Sequence, residues 1–315
     1  MTSVELVDSQ VMYGLTVAAN FPLHQGRPSV ASRPDIWIHL GEPAAPTKDR
    51  PVGEVLLDFS YGDDPWYTLT RIESGYFFRI YELCDCFVSA DLSTMSLHLV
   101  HDVDPGVATV LAVGTLSALQ LYLRGSLVMH ASAVEVGGQV IAVTGHSGMG
   151  KSTLSALLCA RGARLISDDV LPVELAGNAT VRPGATELRL RPGTGLIDSH
   201  LVGIGHRTSA DQREVIKPES VVRDEPLPLV AILVPIRNRN NRLELERITG
   251  TGAVLTVTGF PRLMGWKDPE ILSRLLTQVT TLVAQVPVYR AHVPWGPPFD
   301  PEIAPMILRE LGLSG

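Results

Sequence analysis

The sequence is poor in the features that mark several large classes of protein. It has three cysteines in 315 residues, and Cys84, Cys86 and Cys159 give neither the pairing of a disulfide framework nor the two clusters of a zinc site. We therefore predict reduced, structural thiols. The net charge is −7 and no basic stripe is present, which argues against nucleic acid as a partner.

A long unbroken apolar segment is also absent. The most apolar stretch, residues 107–123, contains a glycine and several polar residues, and Asp104-Pro105 ahead of it is a typical helix start. It is predicted to be a buried core helix, not a membrane span. The first residues are acidic and lack the pattern of a signal peptide, so the expected location is the cytoplasm.

Two regions differ in their residue patterns. Residues 1–104 hold short alternating runs separated by turn residues, and they are predicted to form a β-rich N-terminal domain. The predicted strands there are 37–40, 55–59, 76–81, 86–89 and 96–100. Residues 105–315 mix helical and strand patterns and are predicted to form a catalytic domain, so the fold class is mixed α/β.

The second region has a readable order of elements. Gly137-Gly138 between two apolar runs predicts a hairpin of strands 127–136 and 139–144. A helix over 151–160 and a strand over 164–167 follow. Further strands are predicted at 181, 187–190, 229–235, 243–248, 253–257 and 286–293, and further helices at 268–285 and 300–312.

A glycine-rich loop between the second strand of this hairpin and the following helix carries the strongest signal. Its residues fit the pattern G-x-x-x-x-G-K-S/T at every position, and Thr153 follows them: Gly145, His146, Ser147, Gly148, Met149, Gly150, Lys151 and Ser152. Backbone N–H groups of such a loop converge on phosphate oxygens, while the lysine neutralises phosphate charge and the serine ligates Mg²⁺. The loop therefore predicts binding of ATP with Mg²⁺.

Two acids and a histidine are predicted to lie beside this loop. Asp168 and Asp169 follow the next strand, at the end where parallel sheets place ligands. One carboxylate could hold Mg²⁺ through water and the other could accept a proton from an attacking hydroxyl. If Gly137-Gly138 is a two-residue turn, counting outward sets His130 opposite Gly145, at the mouth of the loop.

These residues together resemble the catalytic core of HPr kinase/phosphorylase. The likeness runs from His130 through the glycine-rich loop to Asp168-Asp169, with similar spacing. It implies an HPr kinase/phosphoenolpyruvate carboxykinase-like phosphate-loop core behind the β-rich N-terminal domain. The chain looks most similar to divergent members beside peptide-modification pathways, including lasso-peptide precursor kinases.

The resemblance also implies roles for residues and partners. Lys151 would bind phosphate, Ser152 and Asp168 would serve the metal, and Asp169 would be the general base, with Glu187 as a further metal-linked acid. The implied reaction is transfer of the γ-phosphoryl group of ATP to a serine hydroxyl of a peptide or protein, a ribosomally made precursor peptide being one candidate. A homo-oligomer is implied as well.

Two other functions stay open on the residues alone. One is a kinase for a small-molecule hydroxyl, and the other is a regulatory ATPase, although the loop is not repeated and adjacent aspartates suit a base and a metal ligand. Arg189, Arg191 and the arginine-rich run 237–242 could contact transferred charge or an acidic peptide, or could be solvated surface residues.

Overall fold

The computed structural model describes residues 8–29, 33–192, 205–221, 223–238, 242–296 and 298–313. The chain divides into two compact units, Met1–Gly125 with Leu263–Leu275 and Ser126–Arg262 with Leu276–Gly315. This division differs from the predicted boundary between residues 104 and 105, because the apolar helical segment 107–123 and a later segment both belong to the first unit.

The first unit contains an eight-stranded sheet in the order β1-β2-β3-β8-β7-β6-β5-β4. Its strands are β1 (Asp8–Met12), β2 (Leu15–Ala19), β3 (Ile36–Leu40), β4 (Glu54–Tyr61), β5 (Asp64–Ile72), β6 (Gly75–Ile80), β7 (Cys84–Ser89) and β8 (Thr94–Leu99). The predicted β-rich character is confirmed. The prediction missed β1, β2 and β5; β5 begins at Asp64, within the Gly-Asp-Asp-Pro sequence of residues 62–65, whose composition is typical of a turn.

Residues 107–123 are helical, as predicted, but the helix is not uniform. Helix α1 (Val107–Leu111) passes into a π-helical turn (Ala112–Leu116) and then into α2 (Ser117–Leu123). The Ser117 hydroxyl donates to the Ala112 carbonyl at 2.6 Å across this turn. None of the helices in the described part of the chain is long and apolar enough to cross a membrane.

The second unit contains a nine-stranded mixed sheet and a small three-stranded sheet. Its strands are β9 (Leu127–Met129), β10 (Ala131–Val136), β11 (Gln139–Thr144), β12 (Arg164–Ser167), β13 (Leu171–Glu174), β14 (Thr180–Val181), β15 (Leu188–Leu190), β16 (Gly205–Thr208), β17 (Glu214–Lys217), β18 (Leu227–Asn238), β19 (Glu244–Ile248) and β20 (Val288–Pro294). Strands β15, β17 and β16 form the small sheet, and the others form the large one. The predicted mixed α/β fold class is confirmed.

Three neighbouring strands of the large sheet are parallel, and they determine where a ligand can bind. Strand β18 pairs in parallel with β11 on one side and with β20 on the other. Helix α3 (Lys151–Cys159) follows β11, and its buried Leu154 and Leu157 join Ile141, Val143 and Leu233 in one core cluster. Parallel strands place their carboxyl ends together, so the segments after β11, β18 and β20 meet at one edge.

One element of the second unit differs in type from its prediction. Residues 253–257 were predicted as a strand because β-branched residues are frequent there, but they lie in helix α4 (Gly250–Thr258). Ala253 and Val257 are four residues apart and both buried, so packing of one helical face overrides the local preference. The remaining helices, α5 (Pro269–Gln285) and α6 (Ile303–Glu310), are close to their predicted bounds.

The three cysteines are free thiols, as predicted. Burial raises the pKa of Cys84 and of Cys159 to about 12 and raises that of Cys86 well above its usual value. A thiol with a pKa near 12 is ionised to a fraction on the order of 10⁻⁴ at pH 8. Cys84 and Cys86 are buried, whereas Cys159 is half-buried. We expect neither Cys84 nor Cys86 to react quickly with a disulfide reagent at pH 8 in the native protein, and all three thiols to react in guanidinium; rapid labelling of more than one thiol in the native protein would contradict this burial.

Candidate phosphate-binding and catalytic site

The glycine-rich loop joins the carboxyl end of β11 to the first residue of α3. Gly145, Gly148 and Gly150 have φ values of 151°, 87° and 99°, which residues with a Cβ rarely adopt. This backbone curls in front of the helix N-terminus, where unpaired N–H groups and the helix dipole favour an anion. The loop therefore has the left-handed glycine conformations expected of the predicted phosphate loop.

The Lys151 side chain reaches back to the first two residues of the loop. Its Nζ donates to the carbonyl of Gly145 at 2.9 Å and to that of His146 at 3.3 Å. The side chain is buried, and burial lowers the pKa of its ammonium while Asp168 and Asp169 raise it. A buried cation bonded only to neutral carbonyls is well placed to exchange these partners for phosphate oxygens.

Asp168 lies against the hydroxyl of the residue that follows the lysine. The Ser152 Oγ donates to Oδ1 of Asp168 at 2.8 Å, and the Arg189 backbone N–H donates to Oδ2 at 3.0 Å. Asp168 is 5% exposed, and this burial raises its pKa. A hydroxyl and a carboxylate in contact are oxygen donors of the kind that Mg²⁺ binds together with phosphate oxygens.

Asp169 faces a different set of partners. Its Oδ1 lies 3.1 Å from Nε2 of His130, and its Oδ2 accepts a hydrogen bond from Nη2 of Arg262 at 2.7 Å. Its backbone has a φ of 75°, an uncommon value for a residue with a side chain. Strained conformations persist where surrounding contacts hold them, and the two bonds to this carboxylate are such contacts.

The two adjacent carboxyl groups have their pKa values shifted in opposite directions. Burial raises the pKa of both, but the charge of Arg262 and the bond to His130 hold the pKa of Asp169 well below its usual range. Burial lowers the pKa of His130, although Asp169 opposes that shift. Paired acids with divergent pKa values are typical of sites in which each acid has its own task.

The hairpin that places His130 has the predicted register. Val136 pairs with Gln139 and Ala131 with Thr144, where the pairing ends. His130 is the next residue and lies in the break between β9 and β10, so the single strand predicted over 127–136 is two strands. The Thr144 hydroxyl also donates to the His130 carbonyl at 3.1 Å. His130 thus lies between the loop and Asp169, while its part in any reaction stays a prediction.

Glu187 is less closely tied to this group. Its carboxylate bonds to Nη2 of Arg207 at 2.8 Å, and it lies two residues before the Arg189 N–H that contacts Asp168. In the described part of the chain no cluster of three or more His, Cys, Asp or Glu side chains could hold a metal by itself. The metal-ligand role of Glu187 and the nucleotide contact of Thr153 stay predictions.

Three arginines complete the surroundings of the site. Arg191 donates to the Ser147 hydroxyl at 3.2 Å, and Arg237 donates to the Gly148 carbonyl at 3.0 Å, so both hold the exposed tip of the loop. The predicted run 237–242 includes residues 239–241, which lie outside the described residues. Arg262 was missed, because it is 93 positions from Asp169 and no local pattern marks it.

Replacing Gly150 tests how tightly the loop is packed. An alanine there would place its Cβ inside the Trp295 indole, whereas one at Gly162, with a similar φ of 92°, meets open space. Both changes incur left-handed strain of about 1–2 kcal/mol, and overlap at position 150 adds about 1–3 kcal/mol. Urea unfolding should therefore find Gly150→Ala less stable than Gly162→Ala; equal losses would contradict the contact with Trp295.

Comparisons with known proteins find matches over the part of the chain that carries these residues. Residues 122–212 match the family model described as HPr Serine kinase C-terminal domain. The HPr kinase/phosphorylase of Chloroherpeton thalassium is 33% identical over 102 residues, which are 31% of this chain and 29% of that protein. The match thus spans less than a third of this relative's length.

A solved structure, the Hpr(Ser) kinase/phosphatase from Coxiella burnetii, matches 59% of this chain and 93% of its own, with 13% identity. Its TM-score of 0.27 is too low to support an argument from architecture. The family model and the Chloroherpeton relative confirm the predicted resemblance, and the segment that carries the loop and the aspartate pair is HPr kinase-like.

Proposed function

We propose that this protein is an ATP- and Mg²⁺-dependent kinase that transfers the γ-phosphoryl group to a serine hydroxyl of a peptide or protein. One observation carries the proposal. Asp168 and Asp169 lie side by side at the phosphate loop, one bonded to the Ser152 hydroxyl and the other held ionised by Arg262 and His130. The HPr kinase-like match over residues 122–212 supports the same reaction class.

The loop would hold the triphosphate. Its N–H groups and the helix N-terminus favour the anion, and Lys151 supplies a full positive charge once its bonds to the Gly145 and His146 carbonyls are exchanged. Arg191 and Arg237 at the loop tip add positive charge nearby. Because phosphoryl transfer depends chiefly on positioning and charge neutralisation, these groups supply much of what the reaction needs.

The residues present fit a magnesium ion that binds together with substrate. Mg²⁺ keeps several waters and takes one or two protein oxygens plus phosphate oxygens, which matches the Ser152 hydroxyl and the Asp168 carboxylate. Bound there, it would neutralise charge on the phosphates. Asp168, whose pKa burial raises, would then be stabilised in its ionised form by the cation.

Asp169 would orient the acceptor. A carboxylate with a strongly lowered pKa is ionised at neutral pH, so it can accept the hydrogen bond of a serine hydroxyl and hold its oxygen toward the phosphorus. The serine proton passes to Asp169 as the new O–P bond forms and the bond to the ADP leaving group breaks. Such a low pKa makes a weak base, but positioning outweighs basicity in this transfer.

The acceptor is tested with peptides that differ at one hydroxyl. We would incubate the protein with γ-labelled ATP and Mg²⁺, and offer precursor peptides encoded near its gene in matched forms with Ser, Thr, Tyr or Ala at each candidate position. Label on the Ser form, recovered as phosphoserine and absent from the Ala form, is the expected result. Label on a small metabolite and on none of the peptides would overturn the peptide acceptor.

Arg262 should set the acid limit of this activity. Burial alone raises the pKa of Asp169, and Arg262 opposes that shift, so removing the guanidinium lets the carboxylate take up a proton at higher pH. As the pH is lowered, kcat/KM of Arg262→Met should therefore begin to fall at a higher pH than kcat/KM of the wild type. The pH at which kcat/KM of Arg262→Lys begins to fall should lie between the two. An acid limit of kcat/KM that does not move in Arg262→Met, measured down to the lowest pH at which both proteins stay folded, would contradict this role.

A further inference from the structure

We propose that Trp295 and Arg237 form a platform that binds the base of the nucleotide, and that this base is a purine. The inference rests on the proposed function, because it concerns the same ATP site. Trp295 and Arg237 would add a binding surface for the base beside the phosphate loop. Trp295 would allow the protein to bind a nucleotide more tightly than a bare triphosphate.

Both residues lie at the edge of the sheet where the phosphate loop begins. Arg237 is the second-last residue of β18, and Trp295 directly follows β20. These strands and β11, which leads into the loop, are parallel neighbours. Ligands of open α/β sheets bind outside the carboxyl ends of such strands.

The pair is joined to the loop at two glycines. Arg237 donates to the Gly148 carbonyl at 3.0 Å, and the edge of the Trp295 ring lies against Gly150, which has no side chain to keep it away. A nucleotide whose phosphates occupy the loop is therefore bound beside an aromatic ring and a guanidinium.

The two side chains also contact each other. The Arg237 guanidinium lies 5.2 Å from the centre of the Trp295 ring, and Phe299 packs edge-on against that ring at 5.6 Å. Phe299 is buried, so it fixes the indole from the core side, while Arg237 is exposed. Flat, electron-rich ring systems stack on indole and guanidinium planes, and a purine offers a larger flat surface than a pyrimidine.

Packing alone could also explain why a tryptophan lies against Gly150. A ligand with phosphates but no base distinguishes packing from base binding, because a surface that binds only the base does not contribute to the affinity for such a ligand. Inorganic tripolyphosphate is such a ligand.

The wild type, Trp295→Leu and Trp295→Phe are each titrated with ATP and with tripolyphosphate in the presence of Mg²⁺, and binding is measured by calorimetry. Trp295→Leu should weaken ATP binding about tenfold or more and leave tripolyphosphate binding within about twofold, since stacking of one base typically contributes that much. Trp295→Phe keeps an aromatic ring and should retain most of the affinity for ATP. Unchanged ATP binding by Trp295→Leu, or equal weakening of both ligands, would overturn the platform.

Fluorescence gives a second readout that does not depend on a destabilised variant. Trp295 is one of four tryptophans, and Trp295→Phe removes its emission alone. ATP should quench wild-type emission, tripolyphosphate should not, and the ATP signal should be lost in Trp295→Phe. A wild type that binds neither ligand would reject the proposed function itself, whereas ATP binding that is indifferent to Trp295 rejects the platform alone.

Discussion

Asp169→Asn should lower kcat for phosphoryl transfer by about 10³-fold or more while leaving ATP affinity within about threefold. Asn keeps the size of the side chain and tolerates the left-handed backbone at this position, where φ is 75°. What it removes is the negative charge that Arg262 and His130 hold in place. The loss should therefore appear in the chemical step and not in nucleotide binding.

The adjacent acid provides a matched control. Asp168→Asn makes the same substitution one residue away, but Asp168 accepts a hydrogen bond from the Ser152 hydroxyl, whereas Asp169 accepts one from Arg262. We expect this variant to need more Mg²⁺ for half-maximal rate, and Asp169→Asn to keep the wild-type Mg²⁺ requirement. An Asp169→Asn protein with more than a tenth of wild-type kcat would contradict the assigned role.

Lys151→Met should weaken ATP binding about 100-fold or more. Its ammonium is buried and bonded to the carbonyls of Gly145 and His146, so its charge lies directly against the loop. Met has a similar length and no charge, which limits the cavity it leaves. The effect should be as large for tripolyphosphate as for ATP, because in the proposed complex the lysine would contact phosphate and not the base.

Arg161→Met is the control for general loss of positive charge. Arg161 is exposed and follows helix α3 at the end away from the loop. Its removal should change ATP affinity by less than about twofold, because charges separated by solvent beyond a Debye length interact weakly. If Lys151→Met bound ATP as well as Arg161→Met does, the loop would not be the phosphate site.

Local sequence patterns were sufficient to predict structure where a short segment determines its own geometry. Gly137-Gly138 predicted the hairpin and its register, which runs to Ala131 opposite Thr144, next to His130. The glycine pattern and the lysine that follows it predicted the loop between β11 and α3. These features depend on turn chemistry and on strand–helix alternation, which neighbouring residues encode.

Contacts between distant segments could not be predicted in the same way. Arg262 reaches Asp169 after helix α4, a segment whose β-branched residues favoured a strand. Arg237 was one member of an arginine-rich run for which a solvated loop was the favoured interpretation, and its bond to Gly148 depends on how β18 is aligned with β11. No local pattern specifies such alignments, because tertiary packing sets them.

The central claim is that the γ-phosphoryl group goes to a hydroxyl and not to water. The most direct test mixes excess protein with γ-labelled ATP, Mg²⁺ and a pool of serine peptides, and measures how label divides between peptide and free phosphate in one turnover. We predict that most label appears on a peptide serine with the wild type and none with Asp169→Asn. Label released only as free phosphate, at a rate that the peptides do not change, would contradict the kinase assignment.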